Sequence, residues 1–260
     1  MINFTKMHGL GNDFVVIDNM DGKTKLSKEQ IIFLCDRHRG VGADGVILVE
    51  SSEAADCFMN HIDADGTCPR MCGNGIRCVA KFLKNNKLVS KNYTRVSTRS
   101  GIKEVNCYED GTYSVNMDKA SFKNPDFPEE NTVVSGLPLC FVSVGNSFAI
   151  SFVDDITKYD FNSIGPSIEN NKIFPNRINF ELVEQKSKNE FKVRVWERGH
   201  EETLACGTGA CAIYALAKKT RDIDKEITVE FPGGKLYLSS DTEDNIIMRG
   251  PAEVSFVGKI

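Results

Sequence analysis

Residues 72–80 of the chain read Cys-Gly-Asn-Gly-Ile-Arg-Cys-Val-Ala, and residues 206–212 read Cys-Gly-Thr-Gly-Ala-Cys-Ala. Both stretches begin Cys-Gly-x-Gly and continue into a helical pattern, and they lie about half the chain apart. A unit that occurs twice at this spacing predicts two related domains that face each other. The second helix, over residues 210–218, is apolar on almost every side until its lysines, which is typical of a buried helix.

Short strands surround these two motifs. Runs rich in Val, Ile, Phe and Tyr that end near turn residues predict strands, at residues 13–18, 46–50, 94–98, 112–117, 141–144, 192–197, 227–231 and 235–238. Asp110-Gly111, between two such runs, predicts a hairpin. Residues 27–30 have the capping-box spacing ahead of a helix predicted over residues 31–39. The loose, proline-containing segment 121–131 is predicted to connect the two halves.

Composition narrows the class of protein. The chain has 260 residues, of which 41% are hydrophobic, so it buries one large core or two modest ones. The formal net charge is -4 and no long block of like charge occurs, which argues against a nucleic-acid partner. The first residues do not resemble a secretory signal, and the apolar stretches are shorter than a membrane span. We therefore expect a cytoplasmic protein with no membrane partner.

Nine cysteines are present, and in a reducing compartment they are expected to be thiols. Cys35, Cys57, Cys107 and Cys140 lie within or beside helix-like or strand-like runs. Since free cysteine is among the residues most often buried, we expect these four to be small buried hydrophobes.

A cysteine that directly precedes a helix lies in the positive field of the helix N-terminus. That field favours the thiolate over the thiol and is expected to lower the pKa of the cysteine. The neighbouring glycines allow backbone N–H groups to approach an anion such as a carboxylate. Each Cys-Gly-x-Gly motif therefore predicts a reactive thiol beside an anion site.

Two such thiols on opposite faces of one carboxylate suit a particular reaction. Inversion of an amino-acid α-carbon needs a base on one face and an acid on the other, and a thiolate with a thiol supplies both. Carbanion charge flows into the carboxylate, where the amides stabilise it. The hypothesis is an amino-acid racemase or epimerase that uses Cys72 and Cys206 and needs no organic cofactor.

Zinc, redox and binding functions are the alternatives for these cysteines. Neither cysteine cluster contains the C-x-x-C pairing of structural zinc sites, and no histidine lies at ligand spacing, so no metal site is expected. The same absence of C-x-x-C disfavours dithiol redox chemistry. A purely binding protein on this scaffold is disfavoured because it would not need two acid–base cysteines.

The sequence resembles the diaminopimelate epimerase family nearly end to end. The resemblance rests on six separated stretches, at residues 6–14, 39–45, 72–78, 197–210, 232–234 and 250–252. It implies an α+β fold of two pseudo-symmetric domains, each a curved, mostly antiparallel sheet around a central helix. The first domain is expected at residues 1–115, completed by 251–260, and the second at residues 116–250.

The resemblance also implies the reaction, which is interconversion of LL- and meso-diaminopimelate in the lysine and peptidoglycan pathways. It implies a small amino-acid substrate, no cofactor and no metal, and it is consistent with a homodimer. Cys72 and Cys206 correspond to the acid–base pair. The expected substrate-binding residues are Asn12, Asp63, Gly73, Asn74, Asn146, Asn179, Glu197, Arg198, Gly207 and Thr208.

Three positions depart from the family pattern. Asp63 replaces an asparagine that contacts the distal group of the substrate, Phe148 replaces a histidine near the catalytic pair, and Glu201 replaces a glycine. If Asp63 pairs with Arg198, the distal carboxylate loses its anchor and the pocket suits lysine, ornithine or histidine. If Arg198 stays available, its planar fork binds the carboxylate of diaminopimelate. Racemisation of another amino acid is therefore the alternative hypothesis.

Overall fold

A computed structural model describes residues 1–128 and 132–260 of the protein. The described chain divides into two compact units. Unit 1 holds Met1–Asn116 and Arg249–Ile260, and unit 2 holds Met117–Met248. Within these described ranges, no helix is long and apolar enough to cross a membrane. The segment 121–131 belongs to unit 2, and its residues 129–131 lie outside the described residues.

Unit 1 combines strands with two α-helices in its described part. In chain order its elements are β1 (Asn3–Gly9), β2 (Asn12–Asn19), α1 (Lys28–Cys35), β3 (Gly45–Glu50), β4 (Cys57–Asp63), α2 (Gly73–Asn85), β5 (Tyr93–Thr98), β6 (Gly101–Cys107), β7 (Thr112–Asn116) and β18 (Glu253–Lys259).

The strands of unit 1 are ordered β7-β6-β5-β4-β3-β2-β1-β18. Neighbours pair antiparallel except β2 with β3 and β4 with β5, which pair parallel. The first two turns of α2 are fully buried, because its apolar residues pack against the strands of this unit. The unit therefore holds a central helix whose first residue follows Cys72.

Unit 2 has the same kinds of element. In chain order they are β8 (Val133–Val134), β9 (Leu137–Pro138), β10 (Cys140–Val144), β11 (Asn146–Val153), a 3-10 helix (Ile156–Lys158), α3 (Phe161–Glu169), β12 (Asn179–Ser187), β13 (Glu190–Glu197), β14 (Glu201–Thr203), α4 (Gly207–Thr220), β15 (Ile227–Phe231) and β16 (Gly234–Ser240). The strand β17 (Ile246–Pro251) contains the boundary between the units.

The main strands of unit 2 are ordered β10-β11-β12-β13-β15-β16, with β14 added to β13. Here β11 with β12 and β13 with β15 are the parallel pairs. The register of the first parallel pair matches that of unit 1, since Phe148 lies opposite Asn179 and Phe14 lies opposite Gly45. The helix α4 is buried along most of its length, as its apolar sequence predicts.

The predicted strands and the Asp110-Gly111 hairpin are confirmed within one or two residues, and the sheet-rich chain with few helices agrees with an α+β fold. The capping box at Ser27 is also present, but α1 ends at Cys35 because Asp36 accepts hydrogen bonds from the next backbone N–H groups. Among the four cysteines expected to be buried, Cys35 and Cys57 are buried and Cys107 is half-buried. The prediction for Cys140 is wrong, since this residue begins the edge strand β10 and is exposed.

Candidate active site

Cys72 is the N-cap residue of α2, in an extended backbone conformation. The backbone N–H of Gly75 donates to its sulfur at 3.4 Å. The sulfur also lies 3.7 Å from Oδ1 of Asn12. These contacts place the thiol at the positive end of the helix, with an amide side chain beside it.

Asn12 is held by two residues of unit 1, Asp44 in the loop before β3 and Asn74 in α2. Its Nδ2 donates to Asp44 at 2.8 Å, and its Oδ1 accepts from Nδ2 of Asn74 at 3.2 Å. Asp44 in turn binds Arg37, whose guanidinium also binds Asp13. This charged network fixes the amide of Asn12, and Asn12 thereby fixes the environment of the Cys72 sulfur.

Arg77 forms hydrogen bonds to the first turn of α2. It is fully buried and donates to the carbonyl of Gly73 at 2.9 Å, to Oδ1 of Asn74 at 2.8 Å and to the carbonyl of Pro251 at 3.0 Å. Both ends of the Asn74 amide are thus engaged, because Asn12 accepts from its nitrogen. Gly73 and Asn74 are therefore available to a ligand chiefly through their backbone N–H groups.

Asp63 ends β4, in the same unit as Cys72. Its Oδ1 lies 3.2 Å from Nε2 of the buried His61, and its Oδ2 lies 3.4 Å from the hydroxyl of Thr67. The backbone N–H of Asp63 donates to the carbonyl of Thr67. The carboxylate that departs from the family pattern thus accepts a hydrogen bond from Thr67 in the following turn and lies close to His61 on its own strand, without a hydrogen bond to that ring.

Burial raises the pKa of the Cys72 thiol from 9.0 to about 11, against the lowering effect of the Gly75 and Asn74 amides. The sequence predicted a lowered pKa from the helix N-terminus alone. That prediction is wrong, because loss of hydration disfavours the thiolate more than two amides favour it. The raised pKa keeps the proton on Cys72 at neutral pH.

Cys206 is the N-cap residue of α4 and is buried. Its sulfur lies 3.5 Å from the hydroxyl of Thr208. Burial, followed by the nearby carboxyl groups of Glu197 and Glu181, holds the pKa of Cys206 well above its ordinary range. The prediction that the pKa of Cys206 is lowered is therefore also wrong. Part of the cause is the pair of carboxyl groups, Glu197 and Glu181, which lie outside the Cys-Gly-x-Gly motif.

The strand ends of unit 2 carry the residues expected to bind the distal group. Asn179 is buried at the start of β12, donates to the carbonyl of Ser147 at 2.8 Å and accepts from the backbone N–H of Arg198 at 2.9 Å. The Arg198 guanidinium donates to the carbonyl of Asn176 at 3.0 Å. Asn146 is exposed at the start of β11.

Arg198 borders a recess in unit 2 that is lined by residues including Ser147, Phe174, Asn176, Arg177 and Ile178. The turn that carries Arg198 is fixed by Glu169, the last residue of α3, which is buried. This carboxylate accepts from the indole N–H of Trp196 at 2.8 Å and from the backbone N–H of Gly199 at 2.8 Å. Arg177 also binds Glu169, at 3.0 Å.

Each unit therefore brings together part of the predicted set. In unit 1, Asn12 contacts Cys72 and Asn74, and in unit 2, Asn179 contacts Arg198. Sequence reasoning missed the supporting residues Arg77, Glu169 and Glu181. Arg77 had a signal, a charged residue within the motif of a buried helix, whereas the two glutamates are distant from the motifs in sequence.

Comparison of this chain with known protein sequences identifies the family to which it belongs. The profile described as diaminopimelate epimerase matches residues 4–123 and 140–255. The chain belongs to the diaminopimelate epimerase family. Diaminopimelate epimerase of Nostoc punctiforme is 41% identical over 278 residues, covering 100% of this chain and 99% of that protein. Diaminopimelate epimerase of Methanococcus maripaludis is 37% identical over 278 residues, with the same coverage.

The resemblance inferred from the sequence is thus confirmed, and membership of the family makes the protein an isomerase. Solved structures show the shared fold at low identity. A PhzF-family phenazine biosynthesis protein from Bacillus anthracis is 20% identical with a TM-score of 0.74, covering 100% of this chain and 98% of that chain. A hydroxyproline epimerase from Agrobacterium vitis is 12% identical with a TM-score of 0.69, covering 100% and 90%.

Proposed function

We propose that the protein interconverts LL- and meso-diaminopimelate by moving one proton between Cys72 and Cys206. The observation that carries the proposal is the repeated cap, in which each cysteine precedes the first turn of a buried helix. Family membership supports the same reaction, because curated relatives that match over the whole chain have this name.

The likeness of the two units also supports the proposal. The two units follow the same order of main strands around one central helix, which is what a duplicated, pseudo-symmetric domain predicts. We propose that both cysteine motifs act on the same substrate α-carbon. The domain boundaries expected from the sequence, 1–115 with 251–260 and 116–250, belong to this proposal.

In this mechanism one cysteine, as thiolate, removes the α-proton, and the other, as thiol, donates a proton to the opposite face. Backbone amides of Gly73, Asn74, Gly207 and Thr208 bind the carboxylate, where the carbanion charge develops. Burial holds the proton on both thiols, so one of them must pass its proton to solvent before it can act as the base. An amino-acid ammonium beside a thiol favours that ionisation, because an opposite charge stabilises the thiolate.

Recognition of the distal end falls to Asn146, Asn179, Glu197 and Arg198, together with Asp63. The contacts of Asp63 with His61 and Thr67 support the interpretation in which Arg198 stays available for a carboxylate. These contacts favour diaminopimelate over lysine, ornithine or histidine, which carry no distal carboxylate. The homodimer and the cytoplasmic location stay predictions.

The decisive experiment follows exchange of the α-proton in deuterium oxide, with LL-diaminopimelate beside L-lysine, L-ornithine and L-histidine. We expect exchange and inversion of diaminopimelate alone. Cys72→Ala and Cys206→Ala should each lower the epimerisation rate by about 10²–10⁴-fold, because each removes one acid–base group.

The matched control is Cys140→Ala, which removes an exposed thiol outside both motifs and should leave the rate unchanged. Exchange of another amino acid, with diaminopimelate inert, would overturn the substrate assignment and leave the two-thiol mechanism in place. Full epimerisation by either single alanine variant would overturn the mechanism.

A further inference from the structure

Glu181, the third residue of β12, is the most unusual buried group in unit 2. Its side chain is 0% exposed, and in the described part of the chain neither carboxyl oxygen has a hydrogen-bond partner. A Cβ atom built on Gly209 would lie 1.7 Å from Oε1 of Glu181 and 3.3 Å from Cβ of Cys206. The carboxyl group therefore sits against the first turn of α4, beside the cysteine that caps it.

The matching position of unit 1 holds an apolar residue. Ile47 is the third residue of β3, and its Cδ1 lies 3.1 Å from where a Cβ on Gly75 would be. The two strands are equivalent in register, because Ile47 lies opposite Val16 on a parallel neighbour and Glu181 lies opposite Ile150. The Cys72 motif thus packs on the methyl group of Ile47, and the Cys206 motif packs on the carboxyl group of Glu181 at the equivalent position.

A buried carboxyl group without hydrogen bonds is costly, and an apolar residue at the same place would avoid that cost. Unit 1 demonstrates that the fold accepts isoleucine there. Packing of the helix consequently does not explain Glu181, and its position beside Cys206 points to an effect on that thiol.

We propose that Glu181 is a positioning residue that keeps the proton on Cys206, so that Cys72 is the base and Cys206 the acid in the direction of reaction that starts from this protonation state. The assignment of acid and base rests on the proposed function. The effect on the Cys206 thiol follows from the surroundings of Cys206 and does not depend on any substrate.

The physical cause is the order in which the groups lose their protons. Burial, followed by the charge of Glu197, holds the pKa of Glu181 well above its usual range. A carboxyl group still ionises before a thiol in the same surroundings, because its intrinsic pKa is several units lower. When the Cys206 thiol begins to ionise it therefore meets negative charge from both Glu181 and Glu197. Cys72 meets Asp63, and Arg77 offsets that charge.

The test is the pH dependence of alkylation at each cysteine, measured by mass spectrometry of the Cys206 and Cys72 peptides after timed exposure to iodoacetamide. The thiolate is the reacting form, so the midpoint of each profile reports ionisation of that thiol. Glu181→Gln should move the Cys206 midpoint down by about one pH unit, which is about tenfold faster labelling at a fixed pH below the midpoint. The Cys72 profile should stay unchanged.

Glu181→Ile, which copies unit 1, is the second variant and should move the Cys206 midpoint in the same direction. Glu184→Gln is the matched control, because that carboxylate is on the same strand but binds Lys186 and the backbone N–H of Ile156. It should leave both profiles unchanged. Circular dichroism of each variant verifies the fold.

An unchanged or raised Cys206 midpoint in both Glu181 variants would overturn the proposal, as would equal shifts at Cys72 and Cys206. Failure to label Cys206 in wild type and variants alike, while Cys72 labels, would also contradict it. No amino-acid substrate is present, so a protein that failed to epimerise diaminopimelate would disprove the proposed function and leave this result intact.

Discussion

The two cysteine sites share a backbone motif and differ in almost everything around it. Cys72 lies in a polar network, in which Asn12 contacts the sulfur and the buried Arg77 binds the first turn of α2. At the position of Arg77, counted from the cysteine, α4 has the small buried Cys211. The surroundings of Cys206 are supplied instead by carboxyl groups. Duplication of the motif therefore fixes where each thiol lies, while neighbouring strands decide how readily it ionises.

A second contrast separates the first α-helix of each unit, α1 and α3. α1 is followed by Asp36, whose carboxylate accepts hydrogen bonds from His38 and Arg39 in the adjacent loop. α3 ends in Glu169, which reaches the turn after β13. The helix of unit 2 thus orders a segment that carries Arg198. The proposed binding of the distal carboxylate by Arg198 therefore depends on the order of this turn.

The largest expected effect is a difference in stability between alanine variants at the second glycine of each motif, Gly75 and Gly209. Gly209→Ala places a methyl group against the buried carboxyl of Glu181, whereas the methyl group of Gly75→Ala would lie 3.1 Å from the Cδ1 of Ile47 and at ordinary contact distance from Cys72. We expect Gly209→Ala to lower the free energy of unfolding by about 1–3 kcal/mol more than Gly75→Ala does, because an overfilled buried site forces its neighbours to move. Denaturant unfolding of both variants measures the difference.

The Glu181→Ala change in the Gly209→Ala background supplies the control. Removing the carboxyl frees the space that the new methyl group needs, so part of the lost stability should return. Equal destabilisation by the two glycine variants, or no recovery in the double variant, would mean that Glu181 does not fill the space beneath Gly209.

Sequence reasoning found the elements that depend on local pattern. The two motifs, the capping box at Ser27 and the eight strands are encoded within a few residues each. It missed α3, since Gly165 and Pro166 interrupt the helical pattern. Gly165 is required by packing, because a Cβ there would lie 2.3 Å from the Trp196 ring. A contact between residues this far apart in sequence has no local signal.

The pKa shifts of Cys72 and Cys206 were predicted in the wrong direction, again because the cause is not local in sequence. The helix N-terminus is visible in the sequence, and its backbone amides do act to lower the pKa of each cysteine, but burial outweighs them. Burial is not visible there, since it depends on strands that come from elsewhere in the chain. At Cys206 the two additional carboxyl groups lie on β12 and at the end of β13. Only the folded arrangement brings them to the motif.

A smaller effect is expected from Glu169→Gln, which tests whether α3 serves recognition. The amide accepts hydrogen bonds only at its oxygen, so either Trp196 or both Gly199 and Arg177 lose their acceptor and the turn bearing Arg198 loosens. We expect KM for diaminopimelate to rise about tenfold with kcat nearly unchanged, the pattern of lost uniform binding. Asp36→Asn, the matched change after α1, should alter neither constant. A fall in kcat at constant KM would place Glu169 in the chemical step instead.

The smallest expected effect is a difference in acid stability between the hairpin β1–β2 of unit 1 and the hairpin β10–β11 of unit 2. Asp13 on β2 binds Lys6 at 2.6 Å and Arg37 at 2.8 Å, while the corresponding residue on β11 is the uncharged Ser147. Burial raises the pKa of Asp13, but the hydrogen bonds and charges of Arg37 and Lys6 outweigh it and lower the pKa from 3.8 to about 2. The ionised carboxylate therefore stabilises unit 1 fully above pH 3.8, and this contribution is lost as the pH falls through 2.

Hydrogen exchange between pH 4 and pH 2 should accordingly show β1 and β2 losing protection before β10 and β11, by about 1–2 kcal/mol in opening free energy. Arg37→Gln removes one of the two cations that lower the pKa of Asp13, so the loss should begin at a higher pH. The exchange of β10 and β11 should not respond to this variant, because no titrating residue occupies the place of Asp13 there. Parallel loss of protection in both hairpins would mean that acid acts on the chain as a whole, and that the ion pairs of Asp13 do not distinguish the two units.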